Sequence, residues 1–415
     1  MSTLERRLGV SDAVVIGLGS MLGAGVFVVF APAAAAAGTG LALLVALGIA
    51  GLVAFCNAIS SARLAVRYPE SGGTYVYGRE RLGGLAGFTA GWAFVVGKTA
   101  SCGAMALTIG VYLWPGRARL VAVAAVLVLT GVNLLGVQKT ARATRALVAL
   151  TLAALAIVAV AGYGFGGPVA ARIGTGEPAG AYGVLTAAGL IFFAFAGYAR
   201  IATLGEEVRD PSRTIPRAIP LALGVVLAIY ATLAVACLMV LGTDRLAGAE
   251  APLAELVAAA QLPALAWVVR VGAGIAVTGV LLTLLAGVGR TVLAMARRRD
   301  LPGVLDAVQP RYRVPARAEL LVAVAVILLV SLGDIRDAIG FSSFTVLVYY
   351  AIANASAWTL RRVPGGAQWP WHALAVAGLV GCLVLAATLP LSSVIVGLVV
   401  LAAGLIYHAA RHPRS

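Results

Sequence analysis

The sequence predicts an all-α polytopic membrane protein with about twelve transmembrane helices. Three observations carry that reading. The chain is 61% hydrophobic and only 11% charged, with a mean hydropathy of +1.00, whereas a soluble chain carries about 25% charged residues. Its apolar runs have the roughly 20-residue length of a membrane-crossing helix and lack the ten-residue alternation of an outer-membrane barrel. Its basic residues fall on alternate connections.

The segments read as 11–37, 39–66, 83–113, 118–136, 142–165, 179–206, 217–243, 264–297, 317–333, 337–360, 370–388 and 391–410. Arg6 and Arg7 precede the first. Arg67, Arg79 and Arg81 follow the second, and Lys139, Arg142 and Arg145 the fourth. Arg209, Arg213 and Arg217 follow the sixth, six arginines from Arg297 to Arg317 the eighth, and Arg361 and Arg362 the tenth. Arg411 and Arg414 close the chain. The remaining connections hold scattered cases such as Arg117 and Arg336. That asymmetry places both termini in the cytoplasm and the chain in the cytoplasmic membrane. It also explains the net charge of +15 without nucleic acid. No short apolar core with a small-residue cleavage site suggests a signal peptide. Cys56, Cys102, Cys237 and Cys382 lie apart within apolar segments, so neither a disulfide framework nor a metal site is expected. No cofactor or catalytic constellation is expected, and an enzyme is disfavoured. Oligomeric state is not readable.

The first segment contains Gly17-Leu-Gly-Ser-Met-Leu-Gly-Ala-Gly25. Each glycine costs a helix about 1 kcal/mol relative to alanine, yet the apolar run continues on both sides. Helix packing through Gly19-x-x-x-Gly23 is one reading. A dinucleotide fingerprint would need a βαβ unit that is absent. The functional reading is a helix broken at bilayer depth, tolerated only where the freed backbone is buried in protein or lines a cavity. Unwound backbone at Ser20–Gly25 and a half-helix starting near Val26 would offer N–H groups and a positive dipole end to a carboxylate. The sixth segment holds a second interruption, Leu190-Ile-Phe-Phe-Ala-Phe-Ala-Gly-Tyr198. Two interrupted segments, each opening five helices, predict inverted repeats with the site where the breaks meet. The repeats would be 11–165 and 179–360, within a single membrane domain, with two extra helices at 370–410.

Gly19-Ser-Met-Leu-Gly-Ala-Gly-Val-Phe27 resembles the first-helix signature of the amino acid–polyamine–organocation superfamily. Tyr68-Pro-Glu-Ser-Gly-Gly-Thr-Tyr75, Phe192-Phe-Ala-Phe-Ala-Gly-Tyr198 with Glu206-Glu-Val-Arg-Asp-Pro-Ser-Arg-Thr-Ile-Pro216, and Gly289-Arg-Thr-Val-Leu-Ala-Met-Ala-Arg297 with Leu301-Pro302 resemble further family stretches in the expected order. The Glu206-Glu-Val-Arg-Asp-Pro211 form most resembles bacterial relatives of the cationic amino acid transporters. The resemblance implies a five-plus-five transporter fold. It also implies secondary transport of amino acids or amines, with segments 1, 2, 6 and 7 rocking against 3, 4, 8 and 9. It assigns the substrate carboxylate to the backbone N–H groups of Ala24 and Gly25, within Ser20, Met21, Gly23 and their neighbours. It assigns the ammonium to carbonyls near Met21, Phe193 and Ala196. Phe193 would be an outer gate, and Leu284 would line the side-chain pocket. Phe195, Gly197 and Tyr198 complete the second break; plain helix packing is the alternative for these aromatics.

Lys98 falls in the middle of the third segment, and an ionisable residue at that depth marks an ion pathway by default. Proton-coupled relatives resemble one another in a buried lysine on the fifth helix, which residues 146–165 lack. Lys98 is therefore the candidate proton carrier, with structural anchoring and direct substrate contact as alternatives. No acidic residue falls in the middle of a segment, which favours a neutral amino acid over a cationic one. Glu206 and Glu207 end the sixth segment against its dipole. With Arg200, Arg209 or Arg213 they form a candidate inner gate or a loop anchor. His372, His408 and His412 look incidental. The expectation is an importer working by alternating access and coupled to protons. The alternatives are an uncoupled facilitator, exchanger or channel, or transport of cationic amino acids or amines.

Overall fold

A computed structural model describes residues 8–68, 72–136, 141–202, 208–360 and 369–411. Among them, ten helices are long and apolar enough to cross a membrane. The first expected segment is divided into α1 (Val10–Met21), α2 (Ala24–Val28) and α3 (Phe30–Ala37). Gly38 ends α3 in the left-handed conformation, at φ 76, which glycine adopts without steric cost. Thr39 then caps α4 (Gly40–Arg67), its hydroxyl accepting from Ala42 N–H at 3.2 Å, as N-cap threonines do.

The connection after α4 is not plain loop. It carries the short helix α5 (Thr74–Leu82) before the 30-residue α6 (Gly84–Leu113). α7 (Ala118–Leu134) and α8 (Ala141–Val160) follow. The sixth segment is α9 (Gly180–Phe195), a tight 3-10 turn at Ala196–Tyr198, and α10 (Ala199–Ala202). α11 (Pro211–Gly248) starts six residues earlier than the sequence suggested. Pro216 and Pro220 lie inside it, where proline is normally a breaker, and that is why 217 looked like the start. Its regular path ends at Gly242, φ 76.

The connection after α11 also holds a helix, α12 (Pro252–Ala259). α13 (Pro263–Arg297), α14 (Ala316–Leu332), α15 (Ile335–Thr359), α16 (Trp369–Thr388) and α17 (Leu391–Arg411) complete the chain. The Asp334 carboxylate caps α15, accepting from Asp337 N–H at 2.8 Å.

Two packed groups result. α1, α3, α4, α9 and α11, drawn from segments 1, 2, 6 and 7, pack on one another. α6, α7, α13 and α14, from segments 3, 4, 8 and 9, do likewise. α15 touches both, lying along α6 and against α4 and α9, while α16 packs outside α15 and α4. Leucines and valines such as Leu127, Leu328, Val380, Leu383, Leu398 and Val399 face outward, as a lipid-facing surface requires.

Candidate functional site

The first helix breaks more narrowly than the sequence suggested. Only Leu22 and Gly23 leave the helical path, and the second half begins at Ala24 rather than near Val26. α2 then runs into α3 through Val29, itself in the α conformation. Ala24 and Gly25 therefore occupy the first turn of the new half-helix, where backbone N–H groups have no intrahelical partner. Ser20 remains helical, its hydroxyl donating to the Ile16 carbonyl at 2.9 Å.

The two breaks cross in direct contact, and glycine is what permits it. A Cβ on Gly25 would stand 2.5 Å from the Ala194 Cα, and one on Gly197 would stand 2.8 Å from Met21 N and collide with the Ser20 carbonyl. Gly23 lies against Val280 of α13, 3.3 Å from where its own Cβ would be. Leu284 is one turn further along the same face and half-buried. Ser20, Met21, Gly23, Ala24, Gly25, Ala196 and Gly197 are thus gathered around one crossing, with Leu284 one helical turn from the Val280 that packs on Gly23.

The aromatics diverge from it. Phe192 and Tyr198 pack on Tyr350 at 5.8 and 5.0 Å between centroids, and Phe195 packs on Tyr230 at 5.1 Å. All three are fully buried, and Phe193 is 8% exposed.

Three tyrosines that the sequence reading passed over hold the carbonyls of both breaks. The Tyr230 hydroxyl donates to the Met21 carbonyl at 2.7 Å and the Ala194 carbonyl at 3.0 Å. Tyr350 donates to the Ala196 carbonyl at 3.2 Å and Tyr112 to the Phe27 carbonyl at 2.7 Å. The Met21 and Ala196 carbonyls assigned to a substrate ammonium therefore already accept a hydroxyl. None of these tyrosines has a local motif, so sequence offered no signal. Arg270, within α13, was also passed over. It donates to the Val111 and Tyr112 carbonyls at 3.3 Å each, closing the end of α6.

Lys98 stands halfway along α6. It keeps some accessible surface although protein surrounds it. Helical periodicity puts Phe94, Cys102, Met105 and Tyr112 on its face. Phe94 packs on Tyr349 of α15 at 5.3 Å, and Tyr112 reaches Phe27 of α2. The face is therefore turned toward the first break and α15. A cavity of about 420 Å3 opens on the face away from the termini. It is lined by Arg119, Glu250, Asp334 and Arg336 at the mouth and by Leu107, Ile339 and Val28 below. Val28 is one turn from Gly25. Arg200 is exposed at the end of the sixth segment; Glu206 and Glu207 lie outside the described residues. No cluster of metal-ligating side chains occurs among the described residues.

Two interrupted helices crossing at glycine contacts within a polytopic bundle define a membrane transporter rather than an enzyme. A family model described as amino acid permease matches residues 8–409. An uncharacterized transporter of Mycobacterium tuberculosis is 60% identical over 408 residues, covering 98% of this chain and 92% of that protein. The branched-chain amino acid permease BcaP of Bacillus subtilis is 27% identical, covering 87% and 82%. Cationic amino acid transporter 7 of Arabidopsis thaliana is 28% identical, covering 89% and 68%. The chain belongs to the amino acid permease family.

Proposed function

We propose that the chain imports a neutral amino acid across the cytoplasmic membrane by alternating access, coupled to protons through Lys98. The contact of the two breaks carries this reading. It brings the first-turn N–H groups of Ala24 and Gly25 beside the carbonyls of Met21, Ala194 and Ala196. That is a donor set for a carboxylate next to an acceptor set for an ammonium, which together match the invariant part of an amino acid. No acidic side chain lies at that crossing among the residues named above. A cationic side chain would enter without a counter-charge, and desolvating an unpaired charge is costly. The similarity to a branched-chain amino acid permease points the same way, although the plant relatives are named for cationic amino acids.

Five-plus-five repeats at 11–165 and 179–360, with the termini inside, complete the reading. The packing of segments 1, 2, 6 and 7 apart from 3, 4, 8 and 9 supports two bodies that move against each other. A thermal-shift panel on the purified protein tests the site. Neutral aliphatic amino acids should raise Tm, and their decarboxylated amines should not. Arginine stabilising more than the neutral amino acids would overturn the specificity. Amines stabilising as well as amino acids would overturn the carboxylate site.

A further inference from the structure

The last turn of α17 reaches a buried carboxylate, although α17 lies outside both packed groups. Asp300 follows the end of α13 and is 2% exposed. Its Oδ2 accepts from the Tyr75 hydroxyl at 2.6 Å and from the Arg79 guanidinium, both on α5. Its Oδ1 faces Nδ1 of His408 at 3.9 Å. The imidazole is stacked on Phe88 of α6 at 4.3 Å, and Phe88 on Trp92. The Trp92 indole donates to the Val400 carbonyl of α17 at 2.9 Å. Four elements thus meet at one carboxylate: α5, α6, the end of α13 and α17. A chain of contacts joins the cluster to the crossing. Thr74 of α5 donates its N–H to the Tyr349 hydroxyl at 3.1 Å. Tyr349 packs on Tyr350 at 5.1 Å, and Tyr350 holds the Ala196 carbonyl.

We propose that His408 is a proton-sensing latch on the terminal face of the transporter. When protonated, it adds a charged hydrogen bond to Asp300 Oδ1 and clamps α5 and the end of α13 to α17, holding that face closed. When neutral, it releases them. The proposal rests on the transport reading and on the terminal face being cytoplasmic.

The charges around the ring set the balance. Arg79 and Arg298, which lie over the Tyr75 ring at 5.3 and 5.5 Å, oppose a further positive charge; Asp300 favours it. Arg79 uses the other carboxylate oxygen, so His408 adds a bond without displacing one. On its own helix, Arg411 donates to the Tyr407 hydroxyl at 2.7 Å. α6 presents Phe88 and Trp92 here, its ionisable Lys98 lying halfway along. Residues 352–360 of α15 carry no ionisable side chain, and α16 has His372 at this end. Imidazole is the side chain whose charge changes in the physiological pH range. Acidification of the terminal face therefore tightens the latch.

The test pairs a structural with a transport measurement, on the wild type and His408→Gln. Hydrogen–deuterium exchange of residues 74–82 in the purified protein is compared between the two at matched pD. Protection should exceed that of His408→Gln near pD 6 and equal it near pD 8. Amino acid counterflow in proteoliposomes is then followed as internal pH alone is lowered over the same range. The wild-type rate should fall as the pH is lowered, and the variant rate should stay flat. His408→Lys, permanently charged, should be slow throughout. Indistinguishable exchange in wild type and His408→Gln at both pD values overturns the latch. A latch seen by exchange with no difference in the counterflow profiles overturns its role as a gate. Absence of counterflow with every amino acid would instead remove the transport reading, while the exchange measurement still decides the latch.

Discussion

Tyr230→Phe removes one oxygen from the centre of the candidate site, and its consequences can be worked from two distances. The hydroxyl bridges the carbonyls of Met21 and Ala194, at 2.7 and 3.0 Å, from a fully buried position. Each carbonyl stands at a helix break and has lost part of its regular bonding. A buried polar group left without its partner costs about 1–3 kcal/mol. The phenylalanine variant should therefore fold, insert and melt a few degrees below the wild type. Binding should move the opposite way. In the wild type an incoming ammonium must take the Met21 carbonyl from Tyr230. In the variant that acceptor is already unsatisfied. If about 1.4 kcal/mol is saved, the Kd falls tenfold. Isothermal titration of the purified proteins with the amino acid that best stabilises the wild type measures this directly. A Kd that is unchanged or raised would refute the reasoning. A raised Kd would make Tyr230 a substrate ligand rather than an occupant of the substrate's place.

Gly25→Ala should abolish binding, because its Cβ meets Ala194 backbone at 2.5 Å, whereas Gly48→Ala, with nothing within 4 Å of its Cβ, should bind normally; titration of both variants distinguishes a specific crossing from general glycine tolerance. Lys98→Met should lose accumulation driven by an imposed pH gradient yet keep counterflow, which needs no net proton movement. Lys98→Arg should behave the same way, since arginine does not release its proton in proteins; gradient-driven uptake by Lys98→Met at the wild-type level would leave Lys98 as an anchor.

The fold was largely legible because bilayer solvation imposes long apolar helices. The short helices α5 and α12 were not, since each lies in a connection with no membrane-length run to reveal it. The first break was legible as a region but misplaced in detail, for a physical reason. Gly17, Gly19 and Gly25 all stay helical. Each instead uses its missing Cβ for close approach, to Ile201, Val148 and Ala194 respectively. Glycine density thus reported two different things, one unwound point and three tight contacts, and only packing separates them. The glycine and backbone positions of the candidate site were named from sequence. The tyrosines that complete it were not, because a single tyrosine in an apolar run gives no sign of which distant carbonyl it reaches. His408, which looked incidental, sits 3.9 Å from the buried Asp300, a contact created by two residues more than a hundred positions apart.

The tyrosine bridges also bear on how a site of bare backbone can be selective. Unsatisfied carbonyls buried at bilayer depth would be too costly to leave waiting for a substrate. Tyr230, which bridges the two breaks, and Tyr112 and Tyr350, one beside each, lower that cost by supplying hydroxyl donors. A substrate then gains only the difference between its own ammonium and a neutral hydroxyl. Charge-assisted hydrogen bonds are roughly twice as strong as neutral ones, so an ammonium can displace the tyrosine where an alcohol or water cannot. The same exchange frees Met21 from Ala194, the two carbonyls that Tyr230 ties together, and these belong to the two broken helices. Recognition of the ammonium and release of the crossing would then be one event, and this links binding at the centre to movement of the helices on either side.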